Sequence, residues 1–188
     1  MSKKDSLDKI LGPSATRDAV PQPNQTYVIL ERSSSAAIAI VDGKLRLEED
    51  LSQAGNCYWR SVEKDGWMGF YETELERFLG HDFWWNFTAE GTEQGEYGSF
   101  VPRRHPDGGY VLLAPRLGGL LQVVAGKDGG LKAAKEGGTA WEFVRVDDDD
   151  DEDDDDEEDD EDDDEEEEGD EDVNGVEEVD DEEEKKTS

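Results

Sequence analysis

Short apolar runs punctuated by glycine turns, and a hairpin pattern that recurs three times, predict an all-β chain built as a β-trefoil of three ~40-residue repeats. A third observation sets the domain's end. From Asp147 to Glu168 every one of the 22 residues is Asp or Glu, a run with no apolar surface to bury. The 188 residues therefore divide into an N-terminal arm over 1–25, a trefoil domain over 26–146 and a polyacidic tail over 147–188, with arm and tail expected to be disordered.

The arm holds Pro13, Pro21 and Pro23 and little apolar material, although Leu7, Ile10 and Leu11 are spaced for one face of a short helix. Such a helix could dock on the core; an untethered arm is the favoured expectation, because short isolated helices are marginal in water.

The clearest element of the domain is Ile38-Ala39-Ile40-Val41-Asp42-Gly43-Lys44-Leu45-Arg46-Leu47. Apolar alternation runs into Asp-Gly and resumes after it, and Asp-Gly supplies the positive φ angles of a two-residue hairpin turn. Its relatives are Arg77–Phe87 and Leu120–Leu131, with turn aspartates Asp42, Asp82 and Asp128 separated by 40 and 46 positions. An aromatic-then-valine strand follows each hairpin: Trp59–Val62, Tyr97–Val101 and Trp141–Val144. The first two then meet a turn, Asp65-Gly66 or Pro106–Gly109, and a fresh aromatic-led strand begins at Trp67 or Tyr110. The units are Tyr27–Gly66, Trp67–Gly109 and Tyr110–Val146, each with about four short strands. Three strand pairs would close a barrel and three hairpins would cap it, which removes most exposed sheet edges.

The formal net charge of −34 belongs almost wholly to the tail, which carries 32 acidic and two basic residues, Lys185 and Lys186. No stretch approaches the roughly 20 apolar residues of a membrane-spanning helix, and the N-terminus lacks the apolar segment of a secretory signal. An intracellular protein, in cytoplasm or nucleus, is the expectation. The triplets Asn24-Gln25-Thr26 and Asn86-Phe87-Thr88 then read as chance matches to a glycosylation pattern. The single Cys57 excludes an internal disulfide framework.

Val62–Phe70, Arg104–Leu113 and Gly138–Phe143 resemble the fascin-like single-trefoil proteins of fungi, within the actin-crosslinking superfamily. The resemblance covers roughly residues 26–146. It implies a trefoil, and a role at actin filaments as one functional expectation. Fascin resembles four such domains in tandem, so bundling by a single trefoil would require dimerisation. No actin-contact motif matches residue by residue.

Three groups of residues are candidate sites. The acidic run, marked along its length by Asp147, Asp151, Asp155, Glu158, Asp162 and Glu166, is expected to capture basic partners such as histones or other Lys/Arg-rich proteins. It would mimic a phosphate backbone, repel nucleic acid itself and bind in a salt-dependent way. Solubility alone is the blander role of such a run. In Phe83–Phe87 the adjacent Trp84 and Trp85 cannot both face the core if the segment is a strand, so one is expected at the surface. A surface tryptophan could anchor a protein or stack on a sugar, and intracellular carbohydrate binding is the third functional expectation. Arg103, Arg104 and His105 form a candidate anion cluster beside the Pro106–Gly109 turn, with the chain's own tail as one possible anion. No metal, cofactor or membrane partner is expected. His81 and His105 lie in turns without metal-ligand spacing, and no phosphate-loop or nucleophile motif is present, so the chain is read as non-enzymatic.

Overall fold

The computed structural model describes residues 7–8, 11–52 and 55–147. Twelve strands fall into the three predicted units. The first contains β1 (Thr26–Glu31), β2 (Ala37–Val41), β3 (Lys44–Glu48) and β4 (Trp59–Lys64). The second contains β5 (Trp67–Glu72), β6 (Arg77–His81), β7 (Phe87–Gly91) and β8 (Val101–Arg104), and the third β9 (Tyr110–Arg116), β10 (Gly119–Ala125), β11 (Leu131–Ala134) and β12 (Trp141–Val146).

The first and last strands of each unit close into a ring of antiparallel pairs. β1 lies between β12 and β4, β4 pairs β5, β8 pairs β9, and β9 meets β12. The remaining link, β5 to β8, is a two-way bridge between Met68 and Phe100, with N···O distances of 3.0 and 2.7 Å. The hairpins β2–β3, β6–β7 and β10–β11 supply the rest. Asp42 and Gly43 take φ of 51° and 72°, the left-handed pair that a two-residue hairpin turn demands. The chain is a β-trefoil.

Inside the ring the main core joins all three units, with Tyr27, Ile29, Trp59, Phe70, Phe100, Leu112, Trp141 and Phe143 fully or almost fully buried. Two tryptophans tie the barrel to its cap: Trp59 Nε1 donates to Ile38 O at 2.8 Å, and Trp141 Nε1 to Val123 O at 2.9 Å. The second unit places Phe100 in the core and has no such bond. The predicted equivalence of Trp67 with Tyr27 and Tyr110 is corrected by one residue. Met68 and Phe70 face the core, so Trp67 lies on the other side of β5. Tyr97 belongs to a 3-10 turn, Glu96–Gly98, rather than to a strand.

A second, smaller core covers the outer side of β1, β2 and β12, gathering Val28, Leu30, Ala37, Ala39, Leu51, Cys57 and Val144 with Leu7 and Leu11. The described part of the arm is thus docked rather than free. Thr16 and Arg145 exchange two backbone hydrogen bonds of 2.8 Å, and Ala19 N donates to Phe143 O at 2.9 Å. The Arg17 guanidinium grips the buried Glu142 carboxylate in two places, Nε–Oε1 2.5 Å and Nη2–Oε2 2.8 Å. The docking wins because the outer faces of β1 and β12 are themselves apolar and need a cover.

Cys57 is buried as a structural thiol, and desolvation pushes it up to about 12, far from nucleophilic chemistry. Nearby Glu72 is fully buried at the end of β5. Its Oε2 accepts from Leu75 N at 2.8 Å and Glu74 N at 3.2 Å, while Oε1 has no partner among the described residues. Burial raises its pKa above the ordinary glutamate value of 4.5. The folded state therefore holds this proton at pH values where the unfolded chain has released it, and stability falls as pH rises from 4.5 through the folded pKa. Glu72→Gln should remove that loss: in denaturant titrations across this range, the variant should gain on the parent as pH rises. A constant difference would contradict the assignment.

Candidate functional site

The surface aromatics stand at the tip of the β6–β7 hairpin, on a turn rather than on a strand. Asp82 builds this turn with its carboxylate. Oδ1 accepts from the backbone of Trp84 at 2.8 Å and Asn86 at 2.9 Å, and Oδ2 accepts from Asn86 Nδ2 at 2.8 Å. These bonds, those from Asn86 foremost, hold the Asp82 carboxyl below its usual range. Asp82 N donates to Asn86 O at 3.0 Å and closes the loop.

Within the turn the two tryptophans separate. Trp84 is 77% exposed. Trp85 turns inward with φ of 65°, stacks on His81 at 3.9 Å between centroids and packs against the main core. Trp85 is thus the inward member of the pair, and the tryptophan expected at the surface is Trp84; a left-handed backbone at Trp85, on a turn rather than a strand, separates the two. Phe83, not singled out from the sequence, is 70% exposed and meets Trp84 edge-on at 5.1 Å. The buried His81 supports the turn from beneath. Its Nδ1 faces Asp82 O at 2.8 Å and so must donate, and its Nε2 is enclosed without a partner among the described residues. The result is a stiff pedestal presenting two aromatic rings to solvent.

The three residues of the anion cluster do not converge. Arg103 and Arg104 are neighbours on β8 and point to opposite faces. Arg104 lies over the Tyr110 ring at 5.0 Å, and His105 Nδ1 accepts from Asp107 N at 3.1 Å within its turn. Of the named tail residues, Asp147 is described, with its carboxylate 3.9 Å from Arg145 Nε. Asp151, Asp155, Glu158, Asp162 and Glu166 lie outside the described residues. Among the described residues no group of acidic, His or Cys side chains could hold a metal ion, and no helix is long and apolar enough to cross a membrane.

No protein-family model and no curated protein sequence matches the chain. Solved structures do. A designed three-fold symmetric protein, ThreeFoil, matches at TM-score 0.52 and 17% identity over 65% of this chain and 98% of its own. A GlcNAcα1-4Gal-releasing endo-β-galactosidase from Clostridium perfringens matches at TM-score 0.55 and 15% identity, covering 65% of this chain and 33% of that one. A GH43 β-1,3-galactosidase matches at TM-score 0.57 and 14% identity over 70% and 29%. The chain thus spans about a third of each galactosidase, and at these identities the likeness is one of fold. These two matches overturn the expectation of a non-enzymatic chain, since this architecture also occurs within enzymes. The expectation rested on missing local motifs, whereas catalytic groups assemble from residues far apart in sequence.

Proposed function

We propose that the chain is a partner-binding protein in which the polyacidic run attracts a Lys/Arg-rich protein and the trefoil offers Phe83 and Trp84 as a preorganised contact. The observation that carries this reading is the unbroken acidity of Asp147–Glu168. Such a run releases condensed counterions when it meets a cationic surface. The aromatic pair supports a specific contact beside this unspecific one. Rings held ready by the Asp82 turn lose little freedom on binding, and desolvated tryptophans are frequent energetic anchors.

Titration calorimetry with polylysine, comparing the full chain with a version ending at Val146, tests the electrostatic part. Full-length affinity should fall by about 10³ as salt rises from about 50 to 200 mM, and the shortened version should lose most of the binding. Equal, salt-insensitive binding by both versions would reject this reading.

A fascin-like role is the finer reading of the fold, supported by Val62–Phe70, Arg104–Leu113 and Gly138–Phe143. In this reading the trefoil contributes one actin-binding surface, and co-sedimentation with filamentous actin is its test. The acidity of both proteins opposes it.

A further inference from the structure

The outward face of β5 carries a second constellation, unconnected with the acidic run. Met68 and Phe70 face the core, so Trp67, Gly69 and Tyr71 share the opposite side. Trp67 is half-buried and packs against neither core cluster. Beside it lies the amide of Gln94, 7% exposed, seated over Gly69. A Cβ at position 69 would stand 2.7 Å from Gln94 Cδ, so this seat exists only because residue 69 is glycine.

The amide is oriented as well as seated. Gln94 Nε2 donates to Trp67 O at 3.0 Å, and Lys64, the cross-strand partner of Trp67, reaches Gln94 O at 3.4 Å. Gln94 Oε1 accepts nothing from the described residues, yet it is not sealed from solvent. An open cleft of about 380 Å³ adjoins these groups, lined among others by Lys64, Asp65, Trp67, Gln94, Glu96 and Ser99. The Asp65 and Glu96 carboxylates have no hydrogen-bond or ion-pair partner among the described residues.

We propose that this cleft binds a neutral, polyhydroxylated ligand of the pyranose type. The indole of Trp67 offers an apolar face to the C–H side of a sugar ring. Asp65, Glu96 and Gln94 Oε1 accept from hydroxyl groups, as does Ser99 Oγ, whose own proton goes to Gly95 O at 3.1 Å, while Lys64 Nζ donates to hydroxyl or ring oxygens. This mixture suits a ligand that is donor and acceptor at every position. Two carboxylates against one ammonium disfavour an anion, and Lys64 in the lining disfavours a cationic peptide. A ligand hydroxyl would take the place of solvent at the oriented, solvent-reachable Gln94 Oε1. The cleft is shallow, so affinity in the millimolar range is expected for a single sugar ring.

The test uses the full chain labelled with ¹⁵N and follows the Trp67 indole N–H while galactose, glucose, N-acetylglucosamine and lactose are each added to about 100 mM. At least one sugar should give a saturable shift centred on Trp67. Glu96→Gln, at an exposed position that leaves the fold intact, and Gln94→Leu should each weaken that binding about tenfold. The proposal is overturned if no sugar shifts Trp67 saturably, if both variants bind as the parent does, or if only arginine or phosphate shifts it. The polylysine titration is independent of every one of these outcomes, because none of the described residues lining the cleft belongs to the acidic run.

Discussion

Trp141→Ala is expected to lower the free energy of unfolding by about 4 kcal/mol, a large share of the ~5–15 kcal/mol typical of a domain. Two losses combine. The indole is fully buried among Tyr110, Val123 and Phe143 in the main core, so truncation leaves a cavity that the closed barrel cannot collapse. The carbonyl of the buried Val123, which accepts from Nε1 at 2.9 Å, also loses this donor. Trp141→Phe separates the two, since it keeps most of the volume and loses the hydrogen bond, and it should cost about 1–2 kcal/mol. Urea titrations of both variants measure this. Equal effects from Phe and Ala would mean that the bond, not the packing, dominates. Trp59, bonded to Ile38 O in the first unit, should behave alike.

Arg17→Ala should cost about 3 kcal/mol, although Arg17 itself is about one-third exposed. The loss arises on the other partner. The Glu142 carboxylate is buried on β12 and takes both of its strong hydrogen bonds from this guanidinium. Without Arg17 it remains a charge held out of water with no counterion. The same contact accounts for the raised Arg17 pKa, with the Glu142 hydrogen bond as the largest cause. The paired change Arg17→Met with Glu142→Leu should recover most of the loss, because the burial cost of both charges disappears together. If the pair is as unstable as Arg17→Ala alone, the arm contributes through its backbone bridge between Thr16 and Arg145 instead.

Turn chemistry was the most legible layer of the sequence. Asp42-Gly43 and Asp65-Gly66 each supply two left-handed residues to a two-residue turn, so their hairpins were readable from composition alone. The recurrence of such turns, with an aromatic-led strand after them, was enough to indicate three units and a closed β ring.

The candidate sites were less legible, for reasons of geometry. Trp84 and Trp85 are adjacent and chemically identical. Which one faces solvent depends on the left-handed backbone at Trp85 and on the Asp82 carboxylate bonds. Trp67 looked like an equivalent of Tyr27, but strand alternation is unforgiving: a shift of one residue moves a side chain from core to surface. Gln94 carried no signal at all, because its seat is the missing side chain of Gly69.

The sequence by itself determined the three-fold β architecture and the polyacidic run, both of which rest on local turn preference, alternation and charge. Tertiary structure alone decided which aromatics reach solvent, how Arg17 meets Glu142 across 125 positions, and where a polar cleft opens beside Trp67. These depend on contacts between residues far apart in the chain, and no local pattern encodes the distance between them.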